Sequence, residues 1–146
     1  YTMSVSPLEC ESLNFMFVFD FTYRGNHNEL VAEALGVIPG FEALTNLAGS
    51  KLIGYDPAIQ FALDEDCRTQ CRITIESRTS TFHVRAGEFP EEQLSVYLTV
   101  RRYGSLEPGM NYGQAIKPLK EHAERITEEY LIGNVLVPLH QAIAIK

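Results

Sequence analysis

The sequence predicts an α+β fold with a curved antiparallel sheet of about 5–6 strands, two short helices after the first strand and a long C-terminal helix. Three patterns support this prediction. Residues 12–24 alternate between large apolar side chains and mixed ones, which indicates a strand with one buried face. Residues 50–103 contain further alternating runs separated by turn residues, and residues 117–130 carry an apolar stripe at helical spacing.

The first predicted strand, Ser12–Arg24, is the strongest pattern in the chain. Its odd positions from 13 to 23 hold one Leu, four Phe and one Tyr, whereas its even positions are mixed. At roughly 3.3 Å per residue the strand would extend for about 43 Å, but a compact domain of this length is only about 38 Å across. We therefore expect the strand to curve or to project. Burial of its large side chains contributes roughly 9–18 kcal/mol before the entropic cost of ordering them.

Two short helices are expected between the first strand and the rest of the sheet. Asn26–Glu29 can cap a helix that ends at Gly36. Apolar residues within positions 41–48 follow helical spacing, which predicts a second amphipathic helix. Ser6–Glu9 also has the pattern of a helix start, because a capping Ser is followed by Pro at the first helical position and by Glu in the first turn.

The middle of the chain alternates between strand patterns and turn chemistry. Asp-Pro at residues 56–57, the acidic run at 64–66 and Gly-Glu-Phe-Pro at 87–90 each favour a turn. The segments between these turns alternate with a period of two residues, as half-buried antiparallel strands do. The predicted strands are Lys51–Tyr55, Ala58–Leu63, Cys71–Thr79, Thr81–Ala86 and Leu94–Tyr103.

The C-terminal part is predicted to be helical. An apolar stripe runs from Leu119 to Tyr130, and charged residues surround it. The apolar tail Asn134–Lys146 suits both a strand and a helix, because Pro138 would kink a helix that continues through it. We favour the helix for this tail.

This order of elements is that of helix-grip domains, in which a curved sheet wraps a helix around an apolar pocket. The alternative is a ferredoxin-like βαββαβ domain, in which the tail supplies the last strand and two chains pair their sheets into a dimeric α+β barrel. The length of 146 residues suits a single domain, residues 1–146. An element order is only an analogy for function.

The charge balance limits the classes of partner. Lys and Arg total 12 against 19 Asp and Glu, so the net charge of −7 argues against nucleic acid and against an anionic membrane surface. No apolar run reaches the roughly 18 residues that a membrane helix needs. The three cysteines are too few for a disulfide scaffold, so we expect a reducing compartment, the cytoplasm. Because the chain begins with Tyr1, we expect a processed or trimmed product.

No motif assigns a catalytic, cofactor or metal site. The sequence lacks a Gly-x-Ser-x-Gly nucleophile motif and a glycine-rich nucleotide loop, and the spacing of Cys67 and Cys71 differs from that of zinc-binding pairs. His27 stands at a predicted helix start, where an imidazole can act as a base or the amides can hold an anion, but an exposed first-turn residue is the simpler interpretation. His122 is typical of a solvated helix face. We therefore expect no catalytic residue, no cofactor and no metal.

Two functions are consistent with these patterns. The first is a non-catalytic assembly module, either a homodimer or a subunit with a protein partner, and the long aromatic strand and the apolar tail favour it. The alternative is a protein that binds a small apolar ligand between the sheet and the C-terminal helix. The candidate pocket residues are aromatic or polar side chains of the first strand and of later segments: Phe17, Phe19, Phe21, Tyr23, His83, Tyr112 and Tyr130.

Overall fold

The computed structural model describes residues 12–36, 47, 49–50, 52–104 and 108–145. These residues form an α+β structure with a four-stranded antiparallel sheet and a long C-terminal helix. The strands are β1 (Ser12–Arg24), β2 (Ala58–Ala62), β3 (Thr69–Glu76) and β4 (Glu91–Tyr103). The helices are α1 (His27–Leu35), α2 (Thr81–Ala86), α3 (Tyr112–Ile126) and α4 (Val137–Ile145), and a π-helical segment, Thr127–Leu136, joins α3 to α4.

The sheet has the strand order β1-β4-β3-β2, so β1 and β2 are its terminal strands. β2 pairs antiparallel with β3, and this register places Ile59 opposite Ile73 and Phe61 opposite Cys71. Directly opposite residues lie on the same face of a sheet. Ile73 and Cys71 are buried, whereas Ile59 and Phe61 on the terminal strand remain 43% and 42% exposed.

The chain divides into two compact units. The first unit consists of Tyr1–Val18, Ala58–Thr74 and Tyr97–Glu129. Its core draws on one face of the strands and on the apolar stripe of α3, as an amphipathic helix and a half-buried sheet require. The buried apolar residues of this unit are Leu13, Cys71, Ile73, Leu98, Val100, Tyr112, Ala115, Leu119, Ala123 and Ile126.

The second unit consists of Phe19–Pro57, Ile75–Val96 and Tyr130–Lys146. Within it α1 packs against α4. The core residues come from both helices, from α2, from the π-helical segment, and from the ends of β3 and β4 that lie in this unit. They are Leu30, Val31, Ile75, Val84, Leu94, Val96, Leu131, Val135 and Leu139.

The C-terminal tail is helical, so this prediction is confirmed. α3 starts with a capping box in which the Asn111 side chain accepts the N–H of Gln114 at 2.8 Å and the Gln114 side chain accepts the N–H of Asn111 at 3.1 Å. Pro138 is the second residue of α4, directly after the π-helical segment. The change of helix type therefore falls beside the residue that cannot donate a helical hydrogen bond.

The sheet has fewer strands than the sequence predicts, and one reason is that Thr81–Ala86 forms α2 instead of a strand. The side chain of Ser80 accepts the N–H of His83 at 3.2 Å, which caps the helix start. Gly87 ends the helix in the left-handed conformation, with φ 68°, and donates its N–H to the His83 carbonyl at 2.9 Å. Capping at both ends outweighs the alternating pattern.

The second reason is that residues 52–55, part of the predicted strand Lys51–Tyr55, do not pair in the sheet. The Tyr55 N–H donates to Oδ1 of Asn28 at 2.8 Å, and the Tyr55 carbonyl accepts from Oγ of Ser77 at 2.8 Å. Side chains therefore satisfy backbone groups that a strand ladder would otherwise use.

The predicted helix at 41–48 and the helix start at Ser6–Glu9 lie outside the described residues. In the part of the chain that the structure describes, no helix is both long and apolar enough to cross a membrane.

Candidate functional site

The first half of β1, residues Ser12–Val18, is the candidate interaction site, and we call it the edge segment. It lies in the first unit on a terminal strand of the sheet. Met16 and Val18 are 52% and 44% exposed. The segment contains no charged residue, no Pro and no Gly. It therefore combines a strand edge with uncharged, partly exposed apolar side chains.

The side chains around the edge segment define its two faces. Phe15 and Phe17 lie on one face, half-buried, with their rings in an edge-to-face contact at 5.0 Å between centroids. Asn14 lies on the other face, where its Oδ1 accepts a hydrogen bond from Nε of Arg101. The Arg101 guanidinium also lies over the Tyr103 ring, 5.7 Å from its centroid. The aromatic face therefore points toward the core, and Met16 and Val18 share the outer face with Asn14.

A buried polar cluster occupies the junction of β1 and α1 in the second unit, and it consists of Asn26, His27, Asn28 and Thr79. The backbone N–H of His27 donates to Oγ1 of Thr79 at 2.7 Å, and Thr79 Oγ1 donates to the Gly25 carbonyl at 3.2 Å. One hydroxyl thus holds two backbone groups of the chain reversal. The Asn28 N–H donates to Oδ1 of Asn26 at 3.1 Å, so two of the first amides of α1 already have protein partners.

The His27 side chain is fully buried, with 0% of its surface exposed. The interpretation of His27 as an exposed first-turn residue is therefore wrong. Nε2 of His27 lies 3.1 Å from the Tyr23 carbonyl, and the Tyr23 and His27 rings lie 5.5 Å apart. Because a carbonyl oxygen can only accept, this contact requires the proton on Nε2, and in the tautomer with that single proton Nδ1 is an acceptor.

Two buried side-chain atoms in the described part of the chain lack a hydrogen-bond partner, and both belong to this cluster. They are Nδ1 of His27 and Nδ2 of Asn28. The Asn28 assignment is set by the Tyr55 N–H, which donates to Oδ1 and so leaves Nδ2 as the unpaired donor. The cluster therefore offers one unused acceptor and one unused donor in adjacent residues.

A shallow groove of about 390 Å³ in the same unit is lined by Arg78, Glu92 and Gln93. Nearby, Nδ1 of His83 lies 3.0 Å from Oγ of Ser80 and 4.0 Å from Oε1 of Glu92. A Ser-His-acid triad needs the serine on one ring nitrogen and the acid on the other. Both groups meet Nδ1 here, so Ser80 acts as a helix cap and this arrangement does not form a triad.

Cys67, Cys71 and the acidic turn at residues 64–66 lie in surroundings that explain them by their part in the fold. Cys67 is exposed, and Cys71 is a buried free thiol whose pKa burial raises to about 11. Asp64 accepts the N–H of Arg68 at 2.8 Å and that of Thr69 at 3.1 Å, which shapes the turn between β2 and β3. Within the described ranges, no three His, Cys, Asp or Glu side chains form a group that could hold a metal ion.

The predicted pocket residues are distributed over both units. Phe17 and the buried Tyr112 lie in the first unit. The other candidates are half-buried residues of the second unit: Phe19, Phe21, Tyr23, His83 and Tyr130. Their role in a pocket stays a prediction.

Sequence reasoning missed Thr79. It also identified Asn28 only as a capping residue and missed that its buried side chain accepts a hydrogen bond from the Tyr55 N–H. Thr79 is 52 residues from His27, so no local pattern connects them. The Asn26-His27-Asn28 run itself was the available signal, because three polar residues follow an aromatic strand at a chain reversal.

Comparisons with protein-family models, with curated proteins and with solved structures gave no match for this chain.

Proposed function

We propose that this chain is a non-catalytic assembly module that forms a homodimer through the edge segment. The observation that carries the proposal is the uncharged strand edge with Met16 52% and Val18 44% exposed. A terminal strand presents backbone N–H and C=O groups that another strand can pair with. Dimerisation would use this edge and would cover the exposed apolar side chains.

The edge segment lacks the features by which terminal strands usually avoid association. Such strands are typically short, or carry Lys or Pro. β1 is 13 residues long, and the sequence Ser-Leu-Asn-Phe-Met-Phe-Val contains none of those residues. Aromatic and β-branched residues without charge favour strand pairing. The composition of this edge is therefore an argument that a partner strand pairs with it when the protein functions.

A second copy of this chain is the partner that the edge segment suits best. Two identical strands pair antiparallel about a two-fold axis, which is the commonest symmetry of oligomers. An axis at Phe15 would place Phe15 opposite its own copy and Leu13 opposite Phe17 of the partner subunit. The aromatic pair of Phe15 with its own copy would contribute roughly 0.2–1 kcal/mol. No like charges would meet, because the segment has none.

Two lysine variants of the outer face test the proposal. Met16→Lys and Val18→Lys add a charge to the edge, where the side chains already reach solvent, so the folded monomer should persist. We expect native mass spectrometry to show a dimer for the unmodified chain and a monomer for each variant at the same micromolar concentration. Hydrogen exchange of the amides in residues 12–18 should be slow in the dimer and faster in both variants.

Val137→Lys is the matched control, because Val137 is 41% exposed and lies on a helix. This variant should remain a dimer. A monomeric chain whose edge-segment amides are nevertheless protected would contradict the proposal, since another part of the same chain would then cover the edge. A dimer that survives both lysine variants would place the interface elsewhere.

Binding of a small apolar ligand is the second candidate, and the strand order favours it. β1 lies beside the last strand, and β2, β3 and β4 follow as a meander before the long helix. This order supports the helix-grip arrangement over the ferredoxin-like one, which needs a strand at the C-terminus. Comparison of native and denatured masses tests it, because a bound ligand would add a few hundred daltons that denaturation removes.

We also propose that the protein is located in the cytoplasm. The described thiols Cys67 and Cys71 are both free, and Cys67 is exposed. A reducing compartment would keep an exposed thiol in this state.

A further inference from the structure

We propose that His27 and Asn28 together bind one hydroxyl group, which donates to Nδ1 of His27 and accepts from Nδ2 of Asn28. The hydroxyl belongs either to a buried water or to a small alcohol. This site is independent of the proposed dimer, because it lies in the second unit and the edge segment lies in the first.

The burial of both residues makes the unused groups costly. His27 is 0% and Asn28 is 1% exposed. A buried donor or acceptor without a partner has lost its hydrogen bonds to water and gained none in return, so it destabilises the folded state. Native structures avoid this cost by pairing such groups with protein, water or ligand. In the described chain these are the two buried side-chain atoms left without a protein partner.

The neighbouring hydrogen bonds determine which chemistry fits. The Tyr23 carbonyl requires the proton on Nε2, so Nδ1 needs a donor. The Tyr55 N–H requires Oδ1 of Asn28 as acceptor, so Nδ2 needs an acceptor. A carboxylate or phosphate offers only acceptors, and an ammonium group offers only donors. A hydroxyl offers both a donor and an acceptor on a single oxygen.

The same bonds hold the two side chains in place. Nε2 of His27 lies 3.1 Å from the Tyr23 carbonyl, and the Tyr55 N–H donates to Oδ1 of Asn28 at 2.8 Å. A group that is already positioned loses little conformational freedom when it binds. The site is therefore prepared before the hydroxyl enters.

Asn28→Asp separates the two sources of the hydroxyl. Aspartate keeps the acceptor for the Tyr55 N–H but replaces the donor Nδ2 by a second acceptor. A water can donate one proton to Nδ1 and the other to the aspartate, whereas an alcohol has one proton to give. Asn26→Asp is the control, because it makes the same change two residues earlier and keeps the oxygen that caps α1.

Side-chain ¹⁵N NMR of His27 and native mass spectrometry of the full chain provide the readouts. We expect a neutral ring protonated on Nε2, with a Nδ1 resonance that shifts in Asn28→Asp and not in Asn26→Asp. A water source predicts a long-lived water contact to the Asn28 amide protons and no added mass. An alcohol source predicts an added mass in the unmodified chain that is lost in Asn28→Asp.

Two results would overturn the proposal. The first is a ring protonated on Nδ1, because that nitrogen would then need an acceptor. The second is a folded chain with neither an added mass nor a long-lived water at Asn28. If Asn28→Asp fails to fold, the tautomer, the water contact and the mass of the unmodified chain still decide between these outcomes.

Discussion

β4 and β1 have the same length, 13 residues each, and both carry a row of apolar side chains at every second position. Their burial differs. The apolar row of β4, Leu94 to Val100, is fully buried with 0% exposure at each of its four positions. The aromatic residues of β1, from Phe15 to Tyr23, are all half-buried. β4 has a strand on either side, whereas β1 is terminal.

This difference shows that the pattern determines which face a strand buries, and that the position in the sheet determines how completely. An apolar side chain contributes in proportion to the area removed from water. The half-buried row of β1 therefore holds apolar area that a partner strand could still cover. The following predictions test how far the two strands differ.

The largest effect is expected when a leucine of β4 is truncated. Leu98→Ala should lower the free energy of unfolding by about 2–5 kcal/mol, because it removes fully buried contacts and leaves a cavity. Phe15→Ala on β1 should cost less at low protein concentration and more at high concentration, since dimerisation adds to stability. Urea unfolding at two concentrations measures both. An equal loss at both concentrations for Phe15→Ala would place Phe15 in the core of the monomer.

The next largest loss of stability is expected at the C-terminal end of β1, where hydrogen bonds hold the junction with α1. Thr79→Val removes the hydroxyl that accepts from His27 and donates to the Gly25 carbonyl. The buried N–H of His27 and the half-buried carbonyl of Gly25 then lose their partner, and we expect a loss of about 2–4 kcal/mol in urea unfolding. Thr22→Val, at an exposed position of β1, should change stability by less than about 0.5 kcal/mol. Equal effects would mean that the hydroxyl of Thr79 does not hold this junction.

A smaller effect is expected at the glycine that ends β1. Gly25 has φ 155°, and a Cβ there would meet the Tyr23 ring at 2.7 Å. Gly25→Ala should therefore cost about 1–3 kcal/mol in thermal unfolding. Gly54→Ala, where nothing lies within 4 Å of an added Cβ, is the control. In a Tyr23→Leu background the cost should fall, and an unchanged cost would assign the strain to the backbone alone.

The smallest effect is a pH dependence at the turn between β2 and β3. Desolvation raises the pKa of Asp64, but hydrogen bonds from Thr69, Asp66 and Arg68 outweigh it, so the pKa lies below its ordinary 3.8. A lowered folded-state pKa contributes stability above about pH 4 that is lost as the pH falls through the folded value.

Asp64→Asn should therefore lower the melting temperature at pH 7 and have less effect at pH 3. Glu65→Gln makes the same charge change one residue away and should have little effect at either pH. A melting-temperature difference for Asp64→Asn that is as large at pH 3 as at pH 7 would mean that the ionised carboxylate is not the group that stabilises the turn.

The candidate sites were predictable to different degrees. The alternation in Ser12–Val18 identified an apolar strand, but the number of strands beside it depends on distant residues. His27 was recognised as a helix-start residue, yet the hydrogen-bond partners of this junction are distant: Thr79 lies 52 positions from His27, and Tyr55 lies 27 positions from Asn28. No pattern of local spacing records such contacts.

The sequence by itself determined the class of fold, the position of the first strand and the capping of α1 by Asn26. These features depend on neighbours within a few residues, which the chain order specifies directly. Tertiary structure alone decided between strand and helix for the C-terminal tail, kept residues 52–55 out of the sheet and made β1 a terminal strand. In each case hydrogen-bond partners and packing neighbours outweigh the local pattern, because the free energy of a buried contact exceeds the small differences in intrinsic propensity.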